Sequence, residues 1–557
     1  GVQSQHVIGD LKHYAMNDQE SGRDAVNVNI SKRAMRETDL RAFEIALGIS
    51  DAGGVMCSYN RVNGDYACQN SYLLNEVLKK DFHFKGFVLS DWGGTHSDVK
   101  ASHAGLDMEQ PGDFFYGASL KKAVEDGKVS QAELDEHVHR ILRSMFANGL
   151  FDFPTKMEVP DVEHGYHVAQ SIAEKSIVLL KNSDNVLPLE NVHTVAVIGG
   201  HADVGVLSGG GSAQVSAPGG SPVPPPPSKD MMSMFIHPQW MPSSPFHALK
   251  HQLASAEVKY YSGDDVDAAV AAAKKADVAI VFAYQWESES FDLPTLDLAP
   301  EQNKLIEAVA AANPKTVVVL ETGSPATMPW ISKVAAVVEA WYPGIRGGQA
   351  IAGILTGKVN PTGKLAITFP LSDADLPHPK LVLPPPTSKP DYSKMKSMDD
   401  FMKLAAEGLP PFDIYYDEGL KVGYKWYDAE KKPVLFPFGF GLSYTTYAYS
   451  KLSVTPGDTT TVSFTVSNTG HRAGTEIAQV YASFPASAGE PPKRLVGWTR
   501  VELGPGESKQ VSVSIPQDHL TVYDEASDSW KLVPGSYEIR VGGSSQSLPL
   551  TQSVSLR

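Results

Sequence analysis

Hydrophobic residues in this chain keep two different rhythms, and the change between them bounds the fold. From about Tyr447 onward apolar and polar residues alternate. Residues 460–467, 477–483, 510–515 and 536–541 read as strands with one buried face, and Pro456-Gly457 and Pro534-Gly535 read as turns. No helical period intervenes, so residues 447–557 are predicted to form an all-β sandwich. Before Tyr447, short apolar runs alternate with stretches of helical period. In residues 1–150, runs at 54–59 and 86–90 read as buried strands, and 71–80 and 130–146 as helices, with Ser130 as N-cap of the second. Such alternation predicts a parallel sheet with helices outside it. Residues 151–165 read as a linker.

A second α/β pattern covers residues 166–375, with strands expected at 195–199, 278–283, 316–321 and 335–340 and helices at 265–275 and 300–312. An insertion at 205–245 is rich in Gly, Ser and Pro, and residues 376–446 read as an irregular insertion and connecting segment. The predicted class is therefore multidomain α/β plus all-β. The formal net charge of −16 argues against nucleic acid or an anionic membrane as partner, and a neutral substrate fits it better. No apolar run is long enough to span a bilayer. The only cysteines are Cys57 and Cys68, which would form a local disulfide in an oxidising compartment and two thiols in a reducing one. No spacing suggests a zinc or calcium site, so no metal and no cofactor are expected.

Three clusters carry the chemistry. Asp91 and Trp92 follow the run at 86–90, delivering a carboxyl and an aromatic ring to a strand end. Lys12, His13 and Arg23, with Asn17 and Glu20 between them, offer N–H donors to hydroxyl groups. Glu287-Ser288-Glu289-Ser290-Phe291-Asp292 follows the strand at 278–283 and places carboxyls on a loop of the second α/β region. Taken singly, each is ordinary: an Asp that caps a loop, surface cations, a solvated acidic turn. Hydrolysis of a glycosidic bond with retention needs two carboxyls, donors to sugar hydroxyls and an aromatic face.

In order, Lys12-His13-Tyr14 with Arg23, Cys57-Ser58-Tyr59-Asn60-Arg61-Val62-Asn63-Gly64, Leu89-Ser90-Asp91-Trp92-Gly93, Gly209-Gly210-Gly211-Ser212-Ala213, Pro361 to Leu365 and Phe436 to Tyr444 resemble motifs of glycoside hydrolase family 3. The resemblance implies a (β/α)8-type barrel, an α/β sandwich and a fibronectin type III-like β-sandwich. It implies a retaining, exo-acting β-glycosidase, foremost a β-glucosidase acting on a small carbohydrate such as a β-glucoside or cello-oligosaccharide. β-Xylosidase or a broader β-glycosidase is the rival reading within the class, and a non-catalytic sugar-binding protein the rival outside it. Asp91 matches the nucleophile and Glu289 the acid/base, with Glu287 as alternative. The two carboxyls are expected about 5–5.5 Å apart, with Glu289 holding its proton under the influence of neighbouring carboxylates. Lys12, His13 and Arg23 match residues that bind the sugar, Tyr59 a tyrosine beside the nucleophile, Trp92 a platform under the ring, and Ser212 a residue approaching from the second domain.

Two departures stand out. Around the acid/base the family reads Glu-Gly-x-Asp-Arg, where this chain has Glu289-Ser290-Phe291-Asp292-Leu293. A (β/α)8 barrel takes about 250 residues, so residues 1–150 are expected to supply only its C-terminal part. An N-terminal fragment of the same barrel is then the expected partner, carrying a sugar-binding Asp and Arg. A homodimer is also admitted. The expected location is periplasmic or secreted, where the two cysteines would pair. Trp240, Phe235 and Trp286 could line the aglycone side or pin a long loop to the core. The run Val195 to Gly200 resembles the end of a nucleotide-binding strand, but the glycine fingerprint does not follow it.

Overall fold

Runs of β-branched residues flanked by helices become parallel strands here. The computed structural model describes residues 1–225, 227, 237–389, 397, 400 and 408–557. It divides into two units: Gly1–Val159 with Lys380–Leu420 and Tyr523–Ser529, and Pro160–Pro379 with Lys421–Val522 and Trp530–Arg557. Among the described residues no helix is long and apolar enough to cross a membrane.

The first unit holds strands β1 (Asp10–Tyr14), β2 (Val26–Asn29), β3 (Gly54–Cys57) and β4 (Phe87–Ser90). β3 lies between β1 and β4, and all three run parallel. Met108 makes an isolated parallel bridge to Leu89 on β4. β3 is buried along its whole length and packs with Leu73, Leu74, Val77 and Leu78 of a π-helix, Tyr72–Asp81. The helix Gln131–Ala147 begins where the sequence places it, with Ser130 Oγ accepting the N–H of Glu133. Cys57 and Cys68 form a disulfide, with Cα atoms 5.2 Å apart, that ties the end of β3 to the turn after it. This unit is a partial barrel. Among the described residues β1 pairs only with β3, and the Gln131–Ala147 helix turns Val138, Leu142 and Phe146 to solvent.

Two segments expected to be irregular are not wholly so. The strand Phe412–Tyr415 pairs in parallel with β2, which on its other side pairs with Arg61–Val62, so the chain returns to the first unit after residue 379. A helix, Tyr424–Ala429, and a strand, Val434–Phe436, follow in the second unit. The 412–415 strand shows only Phe412 and Ile414 on its apolar face, amid prolines, too short a pattern to stand out. Within 205–245 lies an antiparallel pair, β7 (Val206–Ser208) with β8 (Gln239–Met241), counted after β5 (Val178–Asn182) and β6 (Thr194–Ile198).

The second unit continues with β9 (Glu257–Tyr261), β10 (Val278–Tyr284), β11 (Thr316–Glu321) and β12 (Ala336–Glu339). One sheet runs in the order β9-β6-β10-β11-β12-β5, parallel except for β5. Apolar side chains leave both faces. Ile280, Phe282 and Val319 pack toward Pro245–Gln252 and Gly347–Leu355, and Val281, Val318 and Leu320 toward Val266–Ala273 and Pro300–Ala312. A sheet covered on both sides explains the unbroken apolar runs. The order reverses between β6 and β10, so the loops after these strands open at a switch point.

Beyond it, the strands Tyr447–Thr455, Thr459–Asn468 and Ser508–Pro516 face a sheet of Gly474–Ser483, Arg494–Leu503, Gly535–Gly542 and Leu550–Leu556 across a core of Phe464, Val480, Ile515 and Ile539. This sandwich is bolted to its neighbour. Gln479 Nε2 donates to Gly439 O at 3.0 Å, Ser545 N–H donates to Phe438 O, and Lys364 pairs with Glu476 at 3.3 Å.

Candidate active site

Asp91 is the first residue past β4 and is 5% exposed. Its N–H donates to Cys57 O at 3.2 Å, so the position of the carboxyl follows from β3. Oδ1 accepts the N–H of Trp92 at 2.8 Å. Oδ2 is buried 3.3 Å from His13 Nε2, and among the described residues neither atom has a well-aligned hydrogen-bond partner. A buried unmatched polar atom costs about 1–3 kcal/mol, so the two atoms mark a place built for something else to bond.

Around them stand Lys12 and His13 on β1, and Arg23 just before β2. Burial pushes the His13 imidazole below its usual value although Asp91 pulls it up, which leaves a neutral donor for a hydroxyl. The Arg23 guanidinium lies 4.4 Å from the centre of the Tyr59 ring, and its Nη1 pairs with Glu20 Oε2 at 2.9 Å. Tyr59 Oη donates to Trp92 O at 3.0 Å. Trp92 itself is 48% exposed, an open aromatic face at the rim. The first unit thus brings together Asp91, Lys12, His13, Arg23, Tyr59 and Trp92.

Sequence reasoning left Glu20 and Asp24 without roles. Glu20 orients Arg23 and accepts Asn17 Nδ2 at 3.1 Å. Burial lifts the Asp24 carboxyl above the usual range, with Arg23 pulling it down. Adjacency to Arg23 was the only signal for either.

In the second unit the acidic loop leaves β10 and the glycine loop leaves β7. Ser212 N–H donates to Glu289 Oε2 at 2.6 Å, and Gly210 N–H donates to Glu287 O at 2.9 Å. Gly211 has φ +93°, and a Cβ there would lie 2.2 Å from that of Glu289, so only glycine lets the two loops meet. Ser212 therefore presents its backbone N–H to Glu289. Ser290 takes φ 75°, the left-handed conformation in which the family pattern carries glycine. Trp240 is buried on β8, its ring 4.7 Å from that of His201 and 5.7 Å from that of Tyr284, so it pins the insertion to the core. Trp286 is half-buried beside Gly210. Phe235 lies outside the described residues.

Fold and site together define a class: a multidomain α/β enzyme with a buried carboxylate at the carboxyl end of a parallel strand, faced by cationic donors and an aromatic platform. Residues 1–144 match the glycosyl hydrolase family 3 N terminal domain, 177–444 the glycosyl hydrolase family 3 C-terminal domain, and 476–545 a fibronectin type III-like domain. The chain belongs to glycoside hydrolase family 3. It is 37% identical to thermostable beta-glucosidase B of Acetivibrio thermocellus over all of this chain and 70% of that protein. It is 35% identical to an exo-alpha-(1->6)-L-arabinopyranosidase of Bifidobacterium breve, with the same coverage of both chains. Among solved structures it is similar to a β-glucosidase from Streptomyces venezuelae in complex with D-glucose, with TM-score 0.83 and 30% identity over 100% of this chain and 82% of that one.

Proposed function

We propose that this chain is a retaining, exo-acting β-glucosidase that releases glucose from the non-reducing ends of β-glucosides or cello-oligosaccharides by double displacement. The observation that carries the reading is the buried, unmatched Oδ2 of Asp91 beside His13, with Lys12, Arg23 and Tyr59 around it. Asp91 is the nucleophile. Lys12, neutral His13 and Arg23 hold the sugar hydroxyls, and Trp92 stacks on its apolar face. Glu289, braced by the N–H of Ser212, protonates the leaving oxygen and then activates water. The relatives named β-glucosidase and the glucose complex support the sugar. The arabinopyranosidases support a second reading, a broader exo-glycosidase that also accepts pentopyranosides.

A panel of aryl β-glucoside, β-xyloside and α-L-arabinopyranoside, with proton NMR of the first-formed anomer, tests both. Glucoside preference with retained configuration is expected. Inverted product overturns the mechanism, and pentoside preference overturns the sugar.

The Cys57–Cys68 disulfide supports action in the periplasm or outside the cell. Two free thiols in protein taken from its native compartment would contradict that. The outer edge of β1 and the apolar face of Gln131–Ala147 support a polypeptide partner that supplies the remaining barrel strands. An active preparation whose mass is that of this chain alone would refute it.

A further inference from the structure

Two carboxyls stand two residues apart on the loop after β10, and they are held differently. Glu289 meets the glycine loop through Ser212 N–H. Glu287 turns to the end of β11, where its Oε1 accepts the N–H of Gly323 at 3.2 Å. A Cβ on Gly323 would come within 2.8 Å of Glu287 Oε2, so the carboxyl is seated directly on that peptide. The backbone of Glu287 is engaged as well. Its N–H donates to Tyr342 Oη at 2.9 Å, that hydroxyl donates to Gln285 O at 2.7 Å, and its carbonyl accepts Gly210 N–H at 2.9 Å. Gly210 O in turn accepts Glu289 N–H at 3.4 Å. Below them Glu321, 1% exposed, accepts Leu207 N–H at 2.6 Å and so fixes the strand that leads into the glycine loop.

We propose that Glu287 is a positioning residue: its carboxyl, docked on Gly323 N–H, locks the acidic loop and the glycine loop into one piece and thereby sets where the Glu289 carboxyl stands. The inference rests on the reading of Glu289 as acid/base. It separates two carboxyls of the same loop by role: a proton carrier must be able to reach substrate, whereas Glu287 is committed to main-chain donors inside its own unit. Burial lifts the Glu287 carboxyl above the usual range, and the Ser324 hydroxyl with the Ser324 and Gly323 peptides draws it back.

Three substitutions in the whole chain test this. Glu287→Gln keeps an acceptor for Gly323 N–H but cannot transfer a proton. Glu287→Ala removes both abilities. Tyr342→Phe removes the hydroxyl that links Glu287 to Gln285 and touches no carboxyl. On an aryl β-glucoside with a poor leaving group, Glu287→Gln should keep kcat within about threefold, while Glu287→Ala should lose about 10–100-fold in kcat with KM little changed. Tyr342→Phe should move kcat in the same direction by a smaller factor. Azide should restore turnover to Glu289→Ala and not to Glu287→Ala. Hydrogen exchange followed by mass spectrometry should quicken in peptides covering 206–212 and 285–292 for Glu287→Ala, and not for Glu287→Gln.

The proposal is overturned if Glu287→Gln is as inactive as Glu287→Ala and azide restores the latter, or if exchange in those peptides is unchanged by Glu287→Ala. The exchange measurement needs no turnover. An intact protein inert on every glycoside would therefore defeat the glucosidase reading, while exchange still decides the anchoring.

Discussion

Asp91 illustrates how a single side chain is prepared by its surroundings. One carboxyl oxygen accepts the following peptide N–H, and the other is buried 3.3 Å from His13 Nε2 without a well-aligned hydrogen bond. Asp91→Asn preserves the shape and the Trp92 contact but removes the nucleophilic charge. It should lower kcat by about 10⁴-fold or more, with a melting curve like that of the parent; loss of activity together with melting would make Asp91 structural. Glu321 is the opposite case, a carboxyl kept from water. Burial lifts it to about 8, and Glu339 beside it is raised in the same way. Because the folded value lies above the unfolded one, the folded state holds the proton more tightly. Stability then falls as pH rises from 4.5 toward 8 and levels off beyond. Glu321→Gln keeps an acceptor for Leu207 and cannot ionise. Relative to the parent it should gain stability across that window, by at most about 1.4 kcal/mol per pH unit, read by urea unfolding at pH 5 and pH 8. A parallel pH dependence in the two proteins would refute the assignment.

At the scale of elements, the acidic loop carries its own strain. Ser290 holds a left-handed conformation that costs a side chain about 1–2 kcal/mol. Ser290→Gly should therefore stabilise the second unit by up to about 1 kcal/mol, seen as a higher unfolding midpoint; a lower midpoint would mean that the Ser290 side chain makes a contact worth more than the strain. The missing glycine was visible in the sequence as a departure from the family pattern, and the backbone angle gives it a physical meaning. In the six-stranded sheet of the second unit the four central strands, β6, β10, β11 and β12, were legible because both faces are dry there, so each appears as an unbroken apolar run. The edge strands Val178–Asn182 and Glu257–Tyr261 carry charged or polar residues and did not stand out. The strand Phe412–Tyr415 was not, because its pairing with β2 is a contact between residues remote in sequence. The same holds for the site. Asp91, Trp92, His13 and Arg23 could be gathered through ordered motifs. The anchoring of Glu287 on Gly323 and of Glu321 on Leu207 depends on loops folding over strand ends, which no local pattern records.

Across the molecule, the sandwich and the α/β domain of the second unit share buried polar groups as well as apolar surface. Gln479 donates to Gly439 O and Gly543 O and accepts from Tyr481 Oη, and it is 4% exposed. Gly439, at φ +79°, makes room for it where a Cβ would collide with its amide. Gln479→Ala leaves these partners unmatched and should cost about 2–4 kcal/mol. Scanning calorimetry should show the transition of both domains moving down together; a loss confined to the sandwich would mean that the joint does not couple them.

The first unit is built from three stretches of chain, and that has a consequence in time. Asn27 Nδ2 meets the Asp413 carboxylate across 386 residues of sequence, and Tyr523 N–H reaches Glu37 across 486. A ribosome adding about 5–20 residues per second needs roughly 20–100 s to deliver those later pieces. Until Phe412–Tyr415 emerges, β2 waits on the nascent chain with one side of its ladder unfilled, while residues Pro160–Pro379 of the second unit are being made. Synthesis order therefore sets the moment at which the unit bearing Asp91 can close, and it closes among the last.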